Sequence, residues 1–387
     1  MKKIEWKTLG EICGIFKGEQ LNKKDMLKIA TYPVINGGTS PSGYIENYNQ
    51  KENTITISQG GSAGYVNFIE TKFWLGAHAF AVVPNDKVSN RYIYHFLKEN
   101  QYKLENKKVG ATIQNISKND VKNFLIPLPP LKKQAKIAAV LDKFTELTEE
   151  LTEELTEELT AREAQYEYYR DMLLSEDYLN KASKINDSSN NNQIRFTTLG
   201  EVAQINRGAS PRPISNFLTD DESGIAWIKI GDIEANSKYV TKTVQKITFE
   251  GAQKSRILKK GDFIISNSMS YGRPYILKID GAIHDGWASI SNFENHLDSD
   301  FLYHFLNSSM VKNYWKRKIN GSLVSNLNSE IICSLPIIIV DKKLQKKIAQ
   351  KLDKFQSLLS NTQGLLPKEI KLRQKQYEYY REKLLTF

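Results

Sequence analysis

Residues 131–174 contain neither glycine nor proline over 44 consecutive positions. Alanine, leucine, glutamate, lysine, glutamine and arginine dominate this stretch, and all of these residues favour the helical state. Pro129 and Pro130 stand immediately before it, where a helix can begin but cannot extend backward. At about 1.5 Å per residue the predicted helix is roughly 66 Å long. It therefore needs a partner of similar length, or it must join two folding units.

The second half of the chain repeats the first. The LDKF at 141–144 returns at 352–355, the QYEYYR at 165–170 returns at 376–381, and Gln134 corresponds to Gln345. All three matches are displaced by the same 211 positions. A constant displacement over this length predicts a second long helix, and it indicates that a whole folding unit was duplicated.

A globular segment precedes each predicted helix. In residues 1–130 the runs YPVINGG, TITISQGGSAGYVNF and HAFAVVP predict strands with glycine-rich turns, and RYIYHFLKEN predicts a short amphipathic helix. Residues 195–340 repeat the opening, the glycine-rich middle and the YHFL motif. We therefore predict an α+β fold in which two tandem mixed α/β domains are each followed by a long helix, at 131–176 and 341–387. The polar, low-complexity residues 177–194 predict a flexible linker.

The two long helices are expected to pair with each other. Leucines recur every fourth residue from Leu147 to Leu159 with Thr-Glu-Glu between them, and lysines are frequent between Lys343 and Lys375. These charges are suited to an antiparallel coiled coil with internal pseudo-two-fold symmetry. The alternative is a solvated, glutamate-rich helix. Gly364 and Pro367 predict a short interruption of the second helix.

The charge distribution favours a polyanionic partner. The chain has a formal net charge of +10, although residues 145–163 carry eight glutamates against the single Arg162. The rest of the chain is correspondingly more basic, which is typical of nucleic-acid binding but also of any lysine-rich protein. The sequence shows no apolar run of membrane-spanning length, no signal-peptide pattern and no CxxC, so we expect a reduced, cytoplasmic protein.

No motif for nucleotide binding, zinc binding or nucleophilic catalysis occurs in the sequence. Asp86, Glu105 and Lys107 weakly imitate a metal-dependent nuclease site, which leaves a stand-alone DNA nuclease as an alternative function. His95 and His304 occupy the same place in the two repeats, and packing is the simpler role for them. A coiled-coil scaffold without DNA binding is a further alternative.

The combined pattern resembles a known family. A domain that opens with WKTLGEI leads through a glycine-rich middle and the exit IPLPPLKKQ at 126–134 to a long helix that ends in YEYYRDMLL, and the whole arrangement occurs twice. It resembles the specificity subunit of type I restriction–modification enzymes. The second exit, LPIIIVDKKLQ at 335–345, departs from the family pattern.

The resemblance implies two target-recognition domains, each reading one half of a bipartite double-stranded DNA sequence. It further implies that two methyltransferase subunits dock on the helices and that restriction subunits are recruited through them. The specificity subunit itself catalyses nothing in this family. S-adenosylmethionine and ATP would belong to the partners, so no cofactor and no metal is expected in this chain.

Candidate site residues follow from this interpretation. Arginine, lysine, asparagine and glutamine suit base edges in the major groove, although phosphate contact or simple solvation is an alternative for each one. In loops that recur between the repeats we expect DNA contacts from Lys17, Gln59, Lys107, Lys108, Gln114, Asn115, Arg207, Arg212, Asn267, Arg273, Lys316 and Arg317. Partner docking is expected at Tyr166, Tyr169, Arg170, Tyr377, Tyr380 and Arg381, with packing at the helix ends as the alternative.

Overall fold

A computed structural model describes residues 4–110, 114–185, 194–233, 237–267, 272–320 and 327–387. The chain divides into two units, each with its own core: residues 1–155 with 366–387, and residues 156–365. Each unit thus contains one globular domain and a segment of both long helices. Among the described residues, no helix is long and apolar enough to cross a membrane.

The first unit combines three small sheets with short helices. Its strands are β1 (Glu5–Thr8), β2 (Cys13–Lys17), β3 (Tyr32–Ile35), β4 (Tyr44–Ile45), β5 (Thr54–Ser58), β6 (Val66–Ile69), β7 (Trp74–Leu75), β8 (Ala79–Pro84) and β9 (Leu125–Leu128). Its short helices are α1 (Leu9–Ile12), α2 (Asn90–Glu99), α3 (Gln101–Glu105) and α4 (Lys118–Lys122), and the long helix α5 (Leu131–Leu173) follows. The main sheet has the order β2-β8-β5-β6, the second sheet β4-β3-β7, and β1 pairs with β9.

The second unit begins within α5 and repeats this plan with additions. Its first elements are α6 (Glu176–Ile185), β10 (Arg195–Thr198), α7 (Leu199–Val202), β11 (Gln204–Arg207), β12 (Leu218–Thr219), β13 (Ile225–Ile228), β14 (Tyr239–Val240), β15 (Gln245–Ile247), α8 (Phe249–Gln253) and β16 (Arg256–Leu258). The remainder are β17 (Phe263–Ser266), β18 (Pro274–Leu277), β19 (Gly281–Ile283), β20 (Trp287–Ser291), α9 (Ser299–Leu306), α10 (Ser309–Asn320), α11 (Ser329–Cys333), β21 (Pro336–Ile339) and the long helix α12 (Lys342–Leu385).

The sheets of the second unit are larger than those of the first. The main sheet has the order β11-β20-β17-β18-β14, the second sheet β12-β15-β13-β19-β16, and β10 pairs with β21. Apart from α6, the elements without a counterpart in the first unit, namely β12, β14, α8 and β16, all lie between β11 and β17. The duplicated domains therefore differ mainly in their second sheet.

A repeated glutamine fixes each globular domain to the start of a long helix. Gln134 is buried, its Oε1 accepts a hydrogen bond from the backbone N–H of Ser89 at 2.9 Å, and its Nε2 donates to the carbonyl of Pro129. Gln345 makes the corresponding bonds to the N–H of Asp298 at 2.7 Å and to the carbonyl of Val340. A buried amide with both ends satisfied explains why glutamine stands at both positions.

Within each unit, the α5 and α12 segments run in opposite directions. In the first unit the Phe144 ring stacks on Tyr380 with 5.6 Å between centroids, and Thr145 Oγ1 lies 3.1 Å from the Tyr377 hydroxyl. Position numbers rise along α5 as they fall along α12. In the second unit Gln363 Nε2 donates to Glu163 Oε1 at 2.7 Å, and the Tyr169 and Phe355 rings stack at 5.1 Å. The antiparallel direction is thus confirmed inside each unit, while the coiled-coil supercoil and the pseudo-two-fold symmetry stay predictions.

The expected lysine–glutamate pairing between these segments stays a prediction. The contacts given above are ring stacking and hydrogen bonds. On the glutamate-rich part of α5 the structure shows pairs within the helix, such as Arg162–Glu158 at 2.7 Å and Lys143–Glu146 at 2.9 Å. Solvent-exposed charges gain little from a fixed partner, whereas the stacked rings of Phe144 on Tyr380 and of Tyr169 on Phe355 contribute to the contact inside each unit.

Two sequence predictions about the helical regions are wrong. α12 is one continuous helix through Gly364 and Pro367. Both residues are exposed, and a proline costs a helix only one backbone hydrogen bond and a local clash with the preceding turn. Packing on either side, at Gln363 and Tyr377, outweighs that local preference.

The predicted linker 177–194 is also partly wrong, because residues 176–185 form α6. Ser175 Oγ accepts a hydrogen bond from the Tyr178 N–H near the start of this helix, and Leu179 is buried on its inner face. A short polar segment is helical here because it has an N-terminal cap and one apolar stripe. Residues 186–193 of the predicted linker lie outside the described residues.

Candidate nucleic-acid interface

In the first unit, several loops converge at the end of β5. The Gln59 N–H donates to the His78 carbonyl at 2.8 Å, and the Ile116 N–H donates to the Gln59 carbonyl at 2.9 Å. Val109 and Asn115 exchange two backbone hydrogen bonds of 3.0 Å. Three stretches that are distant in sequence, around residues 59 and 78 and at residues 109–110 with 114–116, therefore form one surface, which we call the first loop cluster.

Glycines permit the close approach of backbones in this cluster. The Gly18 N–H donates to the Ala79 carbonyl at 3.1 Å, and a Cβ on Gly18 would lie 2.2 Å from the Gly76 carbonyl oxygen. A Cβ on Gly37 would lie equally close to the Gly60 carbonyl oxygen. No larger residue fits at either place without moving the backbone. Lys17, at the end of β2, is thereby held beside the cluster.

The structure brings together all six residues that the sequence predicts as DNA contacts in this unit. Gln59 and Asn115 belong to hydrogen-bonded backbone of the cluster, and Lys107 and Lys108 directly precede Val109. Lys17, Lys107, Gln114 and Asn115 are exposed, whereas Gln59 and Lys108 are half-buried. The Gln59 Oε1 atom is buried and has no hydrogen-bond partner among the described residues. The cluster is thus a basic, amide-rich surface rather than a closed pocket.

The second unit builds a second loop cluster on the same backbone plan. The Asn267 N–H donates to the Gly286 carbonyl at 3.1 Å, and the Leu327 N–H donates to the Asn267 carbonyl at 3.1 Å. The Gly208 N–H donates to the Trp287 carbonyl at 2.7 Å, just as Gly18 bonds to Ala79 in the first unit. Equivalent positions can therefore be matched between the units, with Gln59 corresponding to Asn267 and Gly18 to Gly208.

The side chain of Asn267 departs from the sequence prediction. It is only 7% exposed, and its Nδ2 donates to the Asp285 carbonyl at 3.0 Å. A buried amide that is bonded in this way braces the loop from within. The sequence shows the polarity of Asn267 but not its burial, and this geometry favours a bracing role over the predicted base contact.

The other predicted residues of the second unit lie around this loop. Arg207 ends β11 and is exposed, as is Arg212, whose Nη2 lies 3.3 Å from Asp285 Oδ2. Arg273 is half-buried with its guanidinium 5.4 Å from the centre of the Tyr275 ring. Lys316 and Arg317 are exposed on α10. They follow Trp315, whose ring packs so closely on Gly272 that a Cβ there would lie 2.5 Å away.

A buried histidine joins each globular domain to a long helix. His304 Nε2 lies 2.9 Å from Asp353 Oδ1, Lys238 Nζ is 3.0 Å from the same oxygen, and the Tyr166 hydroxyl is 3.1 Å from His304 Nδ1. In the first unit His95 Nε2 lies 2.6 Å from Asp142 Oδ1. We call each set the histidine–aspartate latch. The repeated YHFL motif contains both histidines, and the repeated LDKF motif contains both aspartates. The sequence did not show that the two motifs contact each other.

Electrostatics in the second latch keep the aspartate charged and the histidine neutral. Burial opposes ionisation of Asp353, but hydrogen bonds from His304 and Lys238 and the positive charge of Lys238 outweigh it and lower the pKa of Asp353 to about 2. Burial lowers the pKa of His304, and it outweighs the hydrogen bond to Asp353, which acts in the opposite direction.

The predicted docking residues mostly face inward. Arg170 is 3% exposed and contacts Asp171 at 3.1 Å, while Tyr166 and Tyr169 pack on His304 and Phe355. In the first unit, Tyr377 contacts Thr145, Tyr380 stacks on Phe144, and Arg381 pairs with Glu99. The packing alternative therefore describes these side chains better than docking does, most clearly for Arg170.

Two tyrosines that the sequence prediction left out face solvent. Tyr168 is 65% exposed and Tyr379 is 57% exposed, at matching positions of the repeated QYEYYR motif. The repeat itself could have pointed to them, because residues one or two positions from an inward-facing Tyr166 or Tyr377 lie on other faces of the helix.

The residues of the nuclease alternative are not assembled. Asp86 follows Pro84, the last residue of β8. Glu105 lies near the opposite end of β8. Its backbone packs on Gly64, and the Gly64 N–H donates to the Ser58 carbonyl. Ser58 in turn pairs with Ala79, the first residue of β8. At about 3.3 Å per residue the two ends of this strand are roughly 17 Å apart. No cluster of three possible metal ligands occurs among the described residues.

Comparison with known proteins shows a consistent relationship. The profile described as type I restriction modification DNA specificity domain matches residues 1–161 and 191–372. A Haemophilus influenzae protein named as a type I restriction enzyme specificity subunit is 31% identical over 397 residues, with 99% of this chain and 96% of the relative covered. The specificity subunit of the Escherichia coli EcoR124I/EcoR124II type I restriction enzyme is 28% identical, with 99% and 94% covered.

Solved structures agree in fold. A chain from work on complex assembly and conformational transition of the type I restriction–modification system matches with a TM-score of 0.70 at 16% identity, covering 100% of this chain and 98% of that chain. The crystal structure of the HsdS subunit from Thermoanaerobacter tengcongensis matches with a TM-score of 0.57 at 17% identity, covering 99% and 97%.

Proposed function

Because this chain belongs to the type I restriction–modification DNA specificity family, we propose that each of its two loop clusters contacts one half of a bipartite duplex DNA target. One observation carries the proposal. The two clusters share a backbone plan, in which Gln59 and Asn267 hold equivalent places, but they expose different polar side chains. Two loop clusters with the same backbone plan but different exposed side chains suit a DNA target whose two halves differ in sequence.

The charge of the clusters supports DNA as the ligand. Lys17 and Lys107 are exposed in the first cluster, and Arg207, Arg212 and Lys316 in or beside the second. Lysine and arginine supply phosphate contacts, which position a protein on duplex DNA, and arginine and amide side chains can also read base edges. The chain recognises DNA as the specificity subunit, and catalysis belongs to its partner subunits.

The long helices are the proposed docking surface for two methyltransferase subunits, through which restriction subunits are recruited. The solvent-facing tyrosines Tyr168 and Tyr379 support one equivalent contact on each unit, because exposed tyrosine is frequent at interface hot spots. S-adenosylmethionine and ATP would be bound by these partners. A protein that acts on chromosomal DNA in a bacterium works in the cytoplasm, which is the location we propose.

A salt titration of DNA binding tests the proposal. The full chain, co-purified with its methyltransferase partner, is titrated with duplex DNA that carries the methylated motif at several salt concentrations. Replacing both Lys17 and Lys107 by alanine should lower the slope of log K against log salt by about one for each phosphate that is no longer neutralised. Lys87→Ala is the matched control, because Lys87 is exposed beyond the other end of β8.

Two outcomes would contradict the proposal. One is the absence of salt-dependent binding to duplex DNA, as expected for a coiled-coil scaffold without a DNA role. The other is an equal effect of the Lys87 control and of the double variant, because the loop cluster would then not be the site of contact.

A further inference from the structure

The second loop cluster contains a carboxylate that is fixed from several sides. Asp285 Oδ1 accepts a hydrogen bond from Ser210 Oγ at 3.0 Å, and the Asp285 N–H donates back to the same hydroxyl at 3.2 Å. His284 Nε2 lies 3.1 Å from Oδ1, and Asn267 Nδ2 donates to the Asp285 carbonyl at 3.0 Å. The side chain is 29% exposed, so its carboxylate reaches the surface although the backbone behind it is held.

Arg212 stands beside this carboxylate. Its Nη2 lies 3.3 Å from Asp285 Oδ2, while 82% of its side chain is exposed. The pair thus presents guanidinium donors and a carboxylate acceptor side by side, at the surface of a cluster proposed to contact DNA. A side chain that is oriented in advance loses less conformational freedom when it binds.

The matching positions of the first unit, both among its described residues, do not hold this pair. The N–H groups of Gly18 and Gly208 donate equivalent backbone hydrogen bonds, so the two glycines hold matching positions. Asn22 and Arg212 each lie four residues after their glycine and therefore match as well. The His78 carbonyl accepts a hydrogen bond from the Gln59 N–H, and the Gly286 carbonyl accepts the equivalent bond from Asn267. His78 therefore matches Gly286, and the residues before them, Ala77 and Asp285, match each other. Neither Asn22 nor Ala77 can supply the charge, and the two clusters differ in chemistry at this place.

We propose that Arg212 and Asp285 together read one G·C base pair of the second half-site through the major groove. This inference rests on the proposed function of the loop cluster. In the major groove guanine presents the two acceptors N7 and O6, and its paired cytosine presents the N4 amino donor. Arginine donates to the guanine atoms and aspartate accepts from cytosine, so the donor–acceptor order of the side chains complements that of the base pair.

The competing ligands fit this pair less well. A phosphate that approaches Arg212 also approaches the Asp285 carboxylate and is repelled by it, whereas a base edge is neutral. An A·T pair in the same position keeps the purine N7 acceptor, but it presents its N6 amino donor to the guanidinium and its thymine O4 acceptor to the carboxylate. The second arginine contact and the aspartate contact would then be mismatched, and their polar groups would be left unpaired at the interface.

Selection from a randomised duplex library tests the inference. The full chain with its methyltransferase partner is used as wild type and as the variants Arg212→Ala, Arg212→Lys and Asp285→Asn. We expect wild type to select G·C at one position of the second half-site. Each variant should lower that preference by about 5- to 140-fold, and all other positions should be unchanged. Arg212→Lys keeps the charge but lacks the planar fork, so it should retain affinity while it loses discrimination.

The design separates the possible failures. An unchanged first half-site preference shows that a variant is folded, and Asn22→Ala is the matched control in the first unit. If wild type selects a bipartite site but the variants keep every preference, the inference is overturned while the proposed function stands. Weaker binding of Arg212→Ala to all sequences alike, with a smaller salt slope, identifies a phosphate contact and also overturns it. If wild type selects no site at all, the proposed function itself fails.

Discussion

The Nε2 atom of His304 lies 2.9 Å from the Oδ1 atom of Asp353 and thereby links α9 to α12 within the second unit. The first unit repeats the link between His95 and Asp142 at 2.6 Å. A base-reading surface must be held at a defined place on its support, because small displacements of a contact group weaken hydrogen bonds steeply. The latch supplies that attachment in each unit.

Loss of the latch aspartate should destabilise the second unit. Asp353→Ala leaves the buried His304 and the mostly buried Lys238 without this acceptor, so we expect a loss of about 1–3 kcal/mol. Asp300→Ala is the matched control, because Asp300 contacts only Lys238 in this group and should cost less than about 1 kcal/mol. Thermal unfolding followed by circular dichroism measures both, and an equal effect of the two variants would rule out the latch.

Stability should fall as the pH is lowered from 7 to 5. Burial lowers the pKa of His304 in the folded state below its ordinary value of 6.5, so the unfolded state takes up the proton first. The stabilisation is therefore complete above about pH 6.5 and is lost as pH falls toward the depressed pKa of the folded state. The lowered pKa of Asp353, about 2 against an ordinary 3.8, continues this loss at more acidic pH.

The pH prediction is checked by the melting temperature of wild type and of His304→Asn. Wild type should melt at progressively lower temperature below about pH 6.5, and the variant should be less stable at pH 7 but depend less on pH. A melting temperature of wild type that is constant, or that rises toward pH 5, contradicts the assignment of His304 as a neutral buried group.

Because α12 is continuous, replacing Gly364 by alanine should raise the stability of the protein, whereas the same replacement at Gly261, outside the helix, should lower it. Gly364 lies inside the helix and an added Cβ would meet nothing within 4 Å, so Gly364→Ala should stabilise by about 0.5–1 kcal/mol. Gly261 has equally open space but a φ of +103°, so Gly261→Ala should destabilise through backbone strain. If Gly364→Ala fails to stabilise the protein, the helix is interrupted there after all.

The Leu-Thr-Glu-Glu repeats of α5 predict a change of spacer. One inserted unit lengthens the helix by about 6 Å. We expect the gap between the two half-sites to grow while both half-sites keep their sequence, as dimer geometry sets half-site spacing in other DNA-binding proteins. Methylation mapping of the insertion variant measures the gap, and an unaltered gap would show that α5 does not determine it.

The sequence predicted the elements better than their contacts. The strands at YPVI and TITIS and the helix at RYIYHFLKE follow local patterns, and the structure confirms them as β3, β5 and α2. The interruption at Pro367 was wrong because packing along the helix outweighs one local cost. Helix α6 was missed because its polar composition hides a capped apolar stripe.

The candidate sites show the same limit. Polarity and loop position selected Lys17, Gln59 and Asn115 as candidate DNA contacts, and the structure places them in or beside one loop cluster. Polarity could not reveal that Asn267 and Arg170 turn inward, since burial depends on neighbours that are distant in sequence. The role of Asp285 was missed for the same reason, because Ser210 and Arg212 lie more than 70 positions away from it.

Mapping of methylated sites in cells that contain this chain and its methyltransferase partner shows whether each loop cluster reads one half of a bipartite target. Two loop clusters with unlike surfaces predict a motif of two dissimilar short halves separated by a gap of unspecified bases. Alanine substitution of Lys17 and Asn115 should affect only one half, and substitution of Arg207 and Arg212 only the other. A single continuous motif, or a change in both halves from either set of substitutions, would show that the two clusters do not each read one half-site.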